Sequence, residues 1–237
     1  MLLIIVTYHG YEKYCNYFLE YLNYAWPNHP EIWFLTDGKN INHPNVITVE
    51  SDKWLIVLYS GLKCLKDKYS NLDYAYLLLE DLIPLDKISE SYLSKLERTI
   101  YKNQLNCVSF LTYNSDWEDK RVYIDNLKLY SVPQSFPFYS QLQPAIWNME
   151  HLLSVCEYAL DNSILDPWQF ERIVLGDKHY VSEYPWPSVL NGLLHSGQPN
   201  WQAIRKIKTP EGEKLRNKLI KDYFLWLIKR FKSKFLG

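Results

Sequence analysis

The sequence predicts a single α/β domain: a mostly parallel sheet flanked by helices, with a basic helix at the carboxyl end. Three observations carry this. Short apolar runs alternate with stretches of helical spacing over the first 110 residues. The runs are continuously apolar, as strands buried on both faces of a parallel sheet are. Their order is strand, helix, strand, strand, helix, strand, which is an α/β pattern.

Leu2 to Val6 is the first run, ending at Thr7. Tyr11 to Ala25 places Cys15, Phe18, Leu22 and Ala25 at helical spacing, and Pro27 and Pro30 break it. Glu31 to Leu35 is a second strand, ending in Thr36, Asp37 and Gly38. Val46 to Val49 is a third. Leu55, Leu58, Leu62 and Leu65 mark a second helix. Tyr74 to Leu79 is a fourth strand and delivers Glu80 and Asp81 to its end. Asp86 to Tyr101 reads as a helix, and Asn106 to Leu111 as a strand. Residues 112–140, with Pro133 and Pro137, predict long loops and a hairpin. Leu142 to Trp147 is extended, since Gln143 precedes Pro144. Met149 to Leu160 is a helix with Asn148 as its cap. A further helix starts at Asp166, with Pro167 in its first turn and Gln169 at capping-box spacing. Residues 184–200 read as a loop, and the last 25 residues as a helix.

Composition narrows the class. The chain has 237 residues, 47% of them hydrophobic, which suits one or two domains with a sizeable core. Its net charge of −1 hides a polarity: residues 201–237 carry +8 and residues 1–200 carry −9. Such a basic tail points to an anionic partner. Cys15, Cys64, Cys107 and Cys156 form no CxxC or zinc spacing and read as thiols of a reducing, cytoplasmic compartment. The opening MLLIIVTYHG reads as a strand rather than a signal peptide. There is no GxGxxG, Walker A loop or GxSxG elbow, and only 8 Gly. Phosphate binding through a glycine nest is disfavoured, and binding through a metal is favoured.

Ligands of open α/β sheets sit beyond the carboxyl ends of the strands. Three such ends carry polar groups here: Thr7 with Tyr8, Asp37, and Glu80 with Asp81. They are expected to converge. Side chains alternate along a strand, so one acid of the pair should face the cleft and the other the opposite side. A carboxylate there suits Mg²⁺ or Mn²⁺ shared with substrate phosphates.

The run YAYLLLEDLIPL resembles the LLLxDD strand end of GT-A glycosyltransferases. Downstream, YSQLQPAIWNMEHLL and DPWQFE resemble segments shared by a bacterial set of GT-A-like sugar transferases. The resemblance implies a GT-A-like domain over 1–200 with a Rossmann-like sheet, a nucleotide-sugar half at 1–110 and an acceptor half at 111–200. Residues 201–237 would form a separate tail. It implies Thr7 and Tyr8 beside the base and ribose, Asp37 on the donor, and Trp54 near the nucleotide. It implies Asp81, and a late His such as His195, as ligands of a divalent cation. Leu82 stands where a DxD motif starting at position 80 would place its second acid.

Transfer to a hydroxyl requires a base. Glu171 in the PWxFE segment is the candidate, with Asp166 the alternative, although its capping position already explains it. Gln143, Trp147 and Trp168 are candidate acceptor contacts. The tail from 214 to 237 interleaves Phe, Leu and Ile with Lys and Arg, as helices lying in a membrane interface do. An anionic membrane surface on the cytoplasmic side is the expected partner; no nucleic-acid motif accompanies the charge. The alternatives are a non-catalytic glycan or nucleotide-sugar-binding module and a peripheral membrane scaffold.

Overall fold

The computed structural model describes residues 1–8, 10–38, 41–110, 115–142, 144–187, 194–195, 198–205, 207 and 210–235. The strands are β1 (Leu2–Thr7), β2 (Ile32–Thr36), β3 (Val46–Thr48), β4 (Tyr74–Leu79), β5 (Cys107–Ser109), β6 (Arg121–Ile124), β7 (Leu127–Ser131), β8 (Ala145–Asn148) and β9 (His179–Ser182), with β10 (Leu194–His195) and β11 (Gln198–Pro199) as a separate pair. The helices are α1 (Glu12–Ala25), α2 (Trp54–Lys68), α3 (Glu90–Asn103), α4 (Met149–Asp161), α5 (Pro167–Phe170), α6 (Trp201–Ile204) and α7 (Pro210–Phe235).

The nine-stranded sheet runs in the order β3-β2-β1-β4-β8-β5-β9-β7-β6. Its first four strands are parallel, with Thr7 beside Thr36 and Val6 beside Leu79. β1, β2 and β4 are continuously apolar and buried almost throughout, whereas the edge strand β3 is partly exposed. Beyond β4 the pairing is mixed. β8 inserts antiparallel between β4 and β5, β9 returns parallel to β5, and the β6–β7 hairpin closes the edge. The sheet is therefore parallel on one side and mixed on the other, a departure from the mostly parallel expectation. Local sequence encodes apolar faces, and a run's direction depends on connections it does not contain.

Alternation along each strand splits the core. Leu3, Ile5, Tyr76 and Leu78 face Cys15, Phe18 and Leu22 of α1 and Leu93, Leu96 and Ile100 of α3. Ile4, Val6 and Leu77 face Leu55, Leu58 and Leu62 of α2 and Leu152, Val155 and Cys156 of α4. Gly61 lets α2 lie close on the sheet: a Cβ there would meet the Leu35 side chain at 2.7 Å. Asn148 caps α4 by accepting the His151 N–H at 2.9 Å. α3 starts at Glu90 rather than Asp86, because Ser89 accepts the Tyr92 N–H and fixes its first turn.

α7 is tied to the domain by its first half. Leu215 and Leu219 are buried in the α1 layer together with Ile204 and Ile207. The Leu215 N–H donates to the Tyr21 hydroxyl at 2.8 Å, and Lys214 and Lys218 pair with Glu20. Further along, Phe224, Leu225 and Ile228 are exposed. Among the described residues no helix is long and apolar enough to cross a membrane.

Candidate functional site

The three polar strand ends meet. Glu80 follows the face of Tyr76 and Leu78 and turns toward α1. It is only 7% exposed, and it accepts a hydrogen bond from the Thr7 hydroxyl. The Cys15 thiol reaches the same hydroxyl at 3.6 Å. Burial, then the adjoining Asp81 carboxylate, push the Glu80 carboxyl well above the ordinary carboxylate range. Burial also raises Asp81, against a stabilising bond from its own backbone N–H. The loop after β1 supplies two phenols. Tyr8 is held above its ordinary pKa by burial and then by the fields of Asp37, Glu80, Asp166 and Asp52. Tyr11 is raised by burial, then by Glu80 and Asp81. One region thus gathers residues from the ends of β1, β2 and β4 and the start of α5.

Asp37 directly follows β2, whose last residue, Thr36, accepts the Gly38 N–H at 2.9 Å. Tyr11 and Asp52 were missed in the sequence. Tyr11 lies only three positions beyond Tyr8, and the density of polar aromatics after the first strand was the signal for it.

Asp166 is the cap of α5: its Oδ1 accepts the N–H groups of Trp168 and Gln169 at 2.8 and 3.1 Å. It remains exposed. Glu171 is 7% exposed rather than a solvated helix charge, and burial raises its carboxyl. Its Oε1 accepts the Leu142 N–H at 3.1 Å, and its carbonyl accepts the Ser140 N–H at 3.0 Å. Glu171 therefore fastens the 140–142 loop to α5. Between those two bonds, Gln141 is buried and neither of its amide atoms has a partner among the described residues. An unpaired buried amide costs about 1–3 kcal/mol.

Two expected contacts are corrected. Trp147 is 0% exposed, at the centre of the sheet with helices on either side, stacked on His151. It is core and cannot lie against an acceptor. Trp54 is likewise buried, edge-on to Phe170 at 5.6 Å, and joins α2 to α5 through packing. Trp168, by contrast, is 70% exposed beside the Asp166 cap. Gln143 lies outside the described residues, as does the His195 side chain, whose backbone forms β10.

Among the described residues no three His, Cys, Asp or Glu side chains converge as a self-sufficient metal site. The Glu80–Asp81 pair still fits a hard cation, because such an ion takes one or two carboxylates and completes its shell with phosphate oxygens and water. Their raised proton affinities mark charge that a cation would neutralise.

No family model matches the chain, and no curated protein matches it in sequence. Three solved structures resemble it at low scores. A cytidylyltransferase from Leptospira borgpetersenii serovar Hardjo-bovis superimposes with a TM-score of 0.42 at 13% identity, covering 78% of this chain and 79% of that one. An active-site mutant of LgtC gives 0.40 at 13% identity, covering 91% and 100%. The galactosyltransferase LgtC in complex with donor and acceptor sugar analogs gives 0.40 at 11% identity, with the same coverage. At these scores the similarity concerns chain course and says nothing about chemistry.

Proposed function

We propose that this chain is a nucleotide-sugar-dependent glycosyltransferase of the GT-A type, with the donor diphosphate beyond the carboxyl ends of β1, β2 and β4. The observation that carries the reading is the pair of buried Glu80 and half-buried Asp81, ringed by Thr7, Tyr8, Tyr11 and Asp37. Asp81 is the cation ligand, because Glu80 is engaged by Thr7. A bound Mn²⁺ or Mg²⁺ would offset charge on the departing diphosphate. Asp37 and Tyr8 hold the base and ribose. His195 remains a further candidate ligand.

The acceptor approaches over Trp168, whose exposed ring offers a stacking surface for a sugar. Its hydroxyl oxygen bonds to the anomeric carbon as the bond to the diphosphate breaks. The hydroxyl proton passes to a carboxylate. A base must reach that proton. This favours exposed Asp166, in the field of Tyr8, over buried Glu171, which positions the 140–142 loop. The acceptor is a glycan or a lipid-linked sugar. The distal half of α7, with exposed Phe224, Leu225 and Ile228 among Lys and Arg, docks on an anionic membrane surface.

The test is calorimetric titration with UDP, GDP, CDP and dTDP, each with and without Mn²⁺. Binding of one nucleotide, strengthened by metal, is the expected result. Binding that ignores metal would reduce Asp81 to a direct donor contact. No nucleotide binding would leave the non-catalytic module, the reading favoured by the buried Leu82 in place of a second acid.

A further inference from the structure

The opposite end of the sheet carries a second cleft. It occupies about 480 Å³ where β4 and β5 begin and β8 ends. Asp73, Tyr74, Tyr101, Asn106, Asp177 and Lys178 line it. β4 spans six residues, so at about 3.3 Å per residue the cleft lies on the order of 20 Å from Asp81. One donor sugar cannot touch both.

The cleft is built rather than incidental. Tyr101, 42% exposed, packs edge-on against buried Tyr74 with ring centroids 4.6 Å apart. The 176–178 turn forms the opposing wall. Asn106 fastens it, donating from Nδ2 to the Asp177 carbonyl at 2.8 Å and from its backbone N–H to the Lys178 carbonyl at 3.1 Å. Gly176, at φ +70°, seats the turn on His151: a Cβ there would lie 2.7 Å from the imidazole. His151 in turn meets His179, Nε2 to Nε2, at 2.8 Å. His179 Nδ1 lies 3.1 Å from the Tyr139 carbonyl, which can only accept. The neutral His179 therefore carries its proton on Nδ1, and His151 Nε2–H donates to it. A rigid base of rings underlies the turn.

The lining decides the ligand class. Glu150 is paired with Lys66 at 2.7 Å, leaving Asp73 and Asp177 against Lys178. Phosphates and acidic polymers are repelled. An exposed phenol ring, fixed amides and carboxylates are the groups that stack on a sugar ring and accept its hydroxyls. We infer that this cleft is a binding site for a neutral glycan chain, separate from the transfer site. It would hold a growing or acceptor polysaccharide at a distance while its end is processed, and it stands whether or not the transferase reading does.

The test is calorimetric titration of the full chain with maltohexaose, cellohexaose and chitohexaose. One of the three should bind. Tyr101→Ala and Asp73→Ala should each weaken it at least tenfold, whereas Tyr101→Phe, which keeps the ring, should retain most of the affinity. Asp81→Asn should leave it unchanged. Absence of binding by all three would overturn the inference. Binding that survives Tyr101→Ala, or that vanishes in Asp81→Asn, would also overturn it, the latter by moving the glycan to the donor end. Unchanged thermal unfolding of Tyr101→Phe controls for folding.

Discussion

At the carboxyl ends of β1, β2 and β4 the molecule buries acids; at the amino ends of β5 and β9 it buries bases. Glu80 and Asp81 are pushed toward their protonated forms, chiefly by burial. His151 and His179 are pushed toward their neutral forms, again chiefly by burial. The same force thus keeps charge out of both ends, but the consequences differ. The base pair is complete, with each ring meeting a neighbour inside the protein. The acid pair is bonded too, Glu80 by the Thr7 hydroxyl and Asp81 by its own backbone N–H, but it sets two like-charged groups side by side. Two neutral rings suit a scaffold, whereas two adjoining carboxyls concentrate negative charge at a strand end.

The largest expected effect breaks this comparison at the acid end. Asp81→Asn should lower sugar transfer from whichever donor binds by about 10²–10³-fold with the fold intact. Initial rates and circular dichroism check both halves of that statement. Next is stability. The Glu80 carboxyl is raised in the folded state, so its contribution is fully present at acid pH and is lost as pH rises through the raised value. In metal-free buffer at about pH 8, Glu80→Gln should be more stable than the parent, by urea titration. That gain should shrink toward pH 5.

The base end should slope the other way. The His179 pKa falls from its ordinary 6.5 to about 4, mainly by burial and then by His151. Its contribution is present above pH 6.5 and disappears as pH falls toward 4. The loss should be about 3 kcal/mol, and His179→Phe should flatten that acid limb. The smallest effect lies outside the sheet. Phe224→Glu with Ile228→Glu should weaken partitioning onto vesicles containing phosphatidylserine by about tenfold without changing the unfolding temperature, by sedimentation and scanning calorimetry.

β1, β2 and β4 of the parallel half were legible because each is buried on both faces and reads as an uninterrupted apolar run. Strand ends were legible for the same reason: Thr7, Asp37, Glu80 and Asp81 interrupt apolar sequence where a sheet presents ligands. The mixed half was not. β9 is four residues long, HYVS, and follows a Gly-Asp-Lys turn without a clear period. Trp147 and Trp168 look alike in sequence, yet one is core and the other exposed, because burial is decided by strands distant in the chain. Glu171 reads as a candidate base, and only the fold brings the Leu142 N–H to it. His151 and His179 lie 28 residues apart with no motif between them, and β5 and β8 alone bring them together.

The claim that the donor sits at the acid end is tested most directly by one paired titration. The nucleoside diphosphate that binds the parent chain in the presence of Mn²⁺ is titrated into Asp81→Asn and into Asp73→Asn, one carboxylate at each end of β4. Loss of binding in Asp81→Asn with full binding in Asp73→Asn is the predicted result. Undiminished, metal-dependent binding in Asp81→Asn would contradict it and place the nucleotide elsewhere on the molecule.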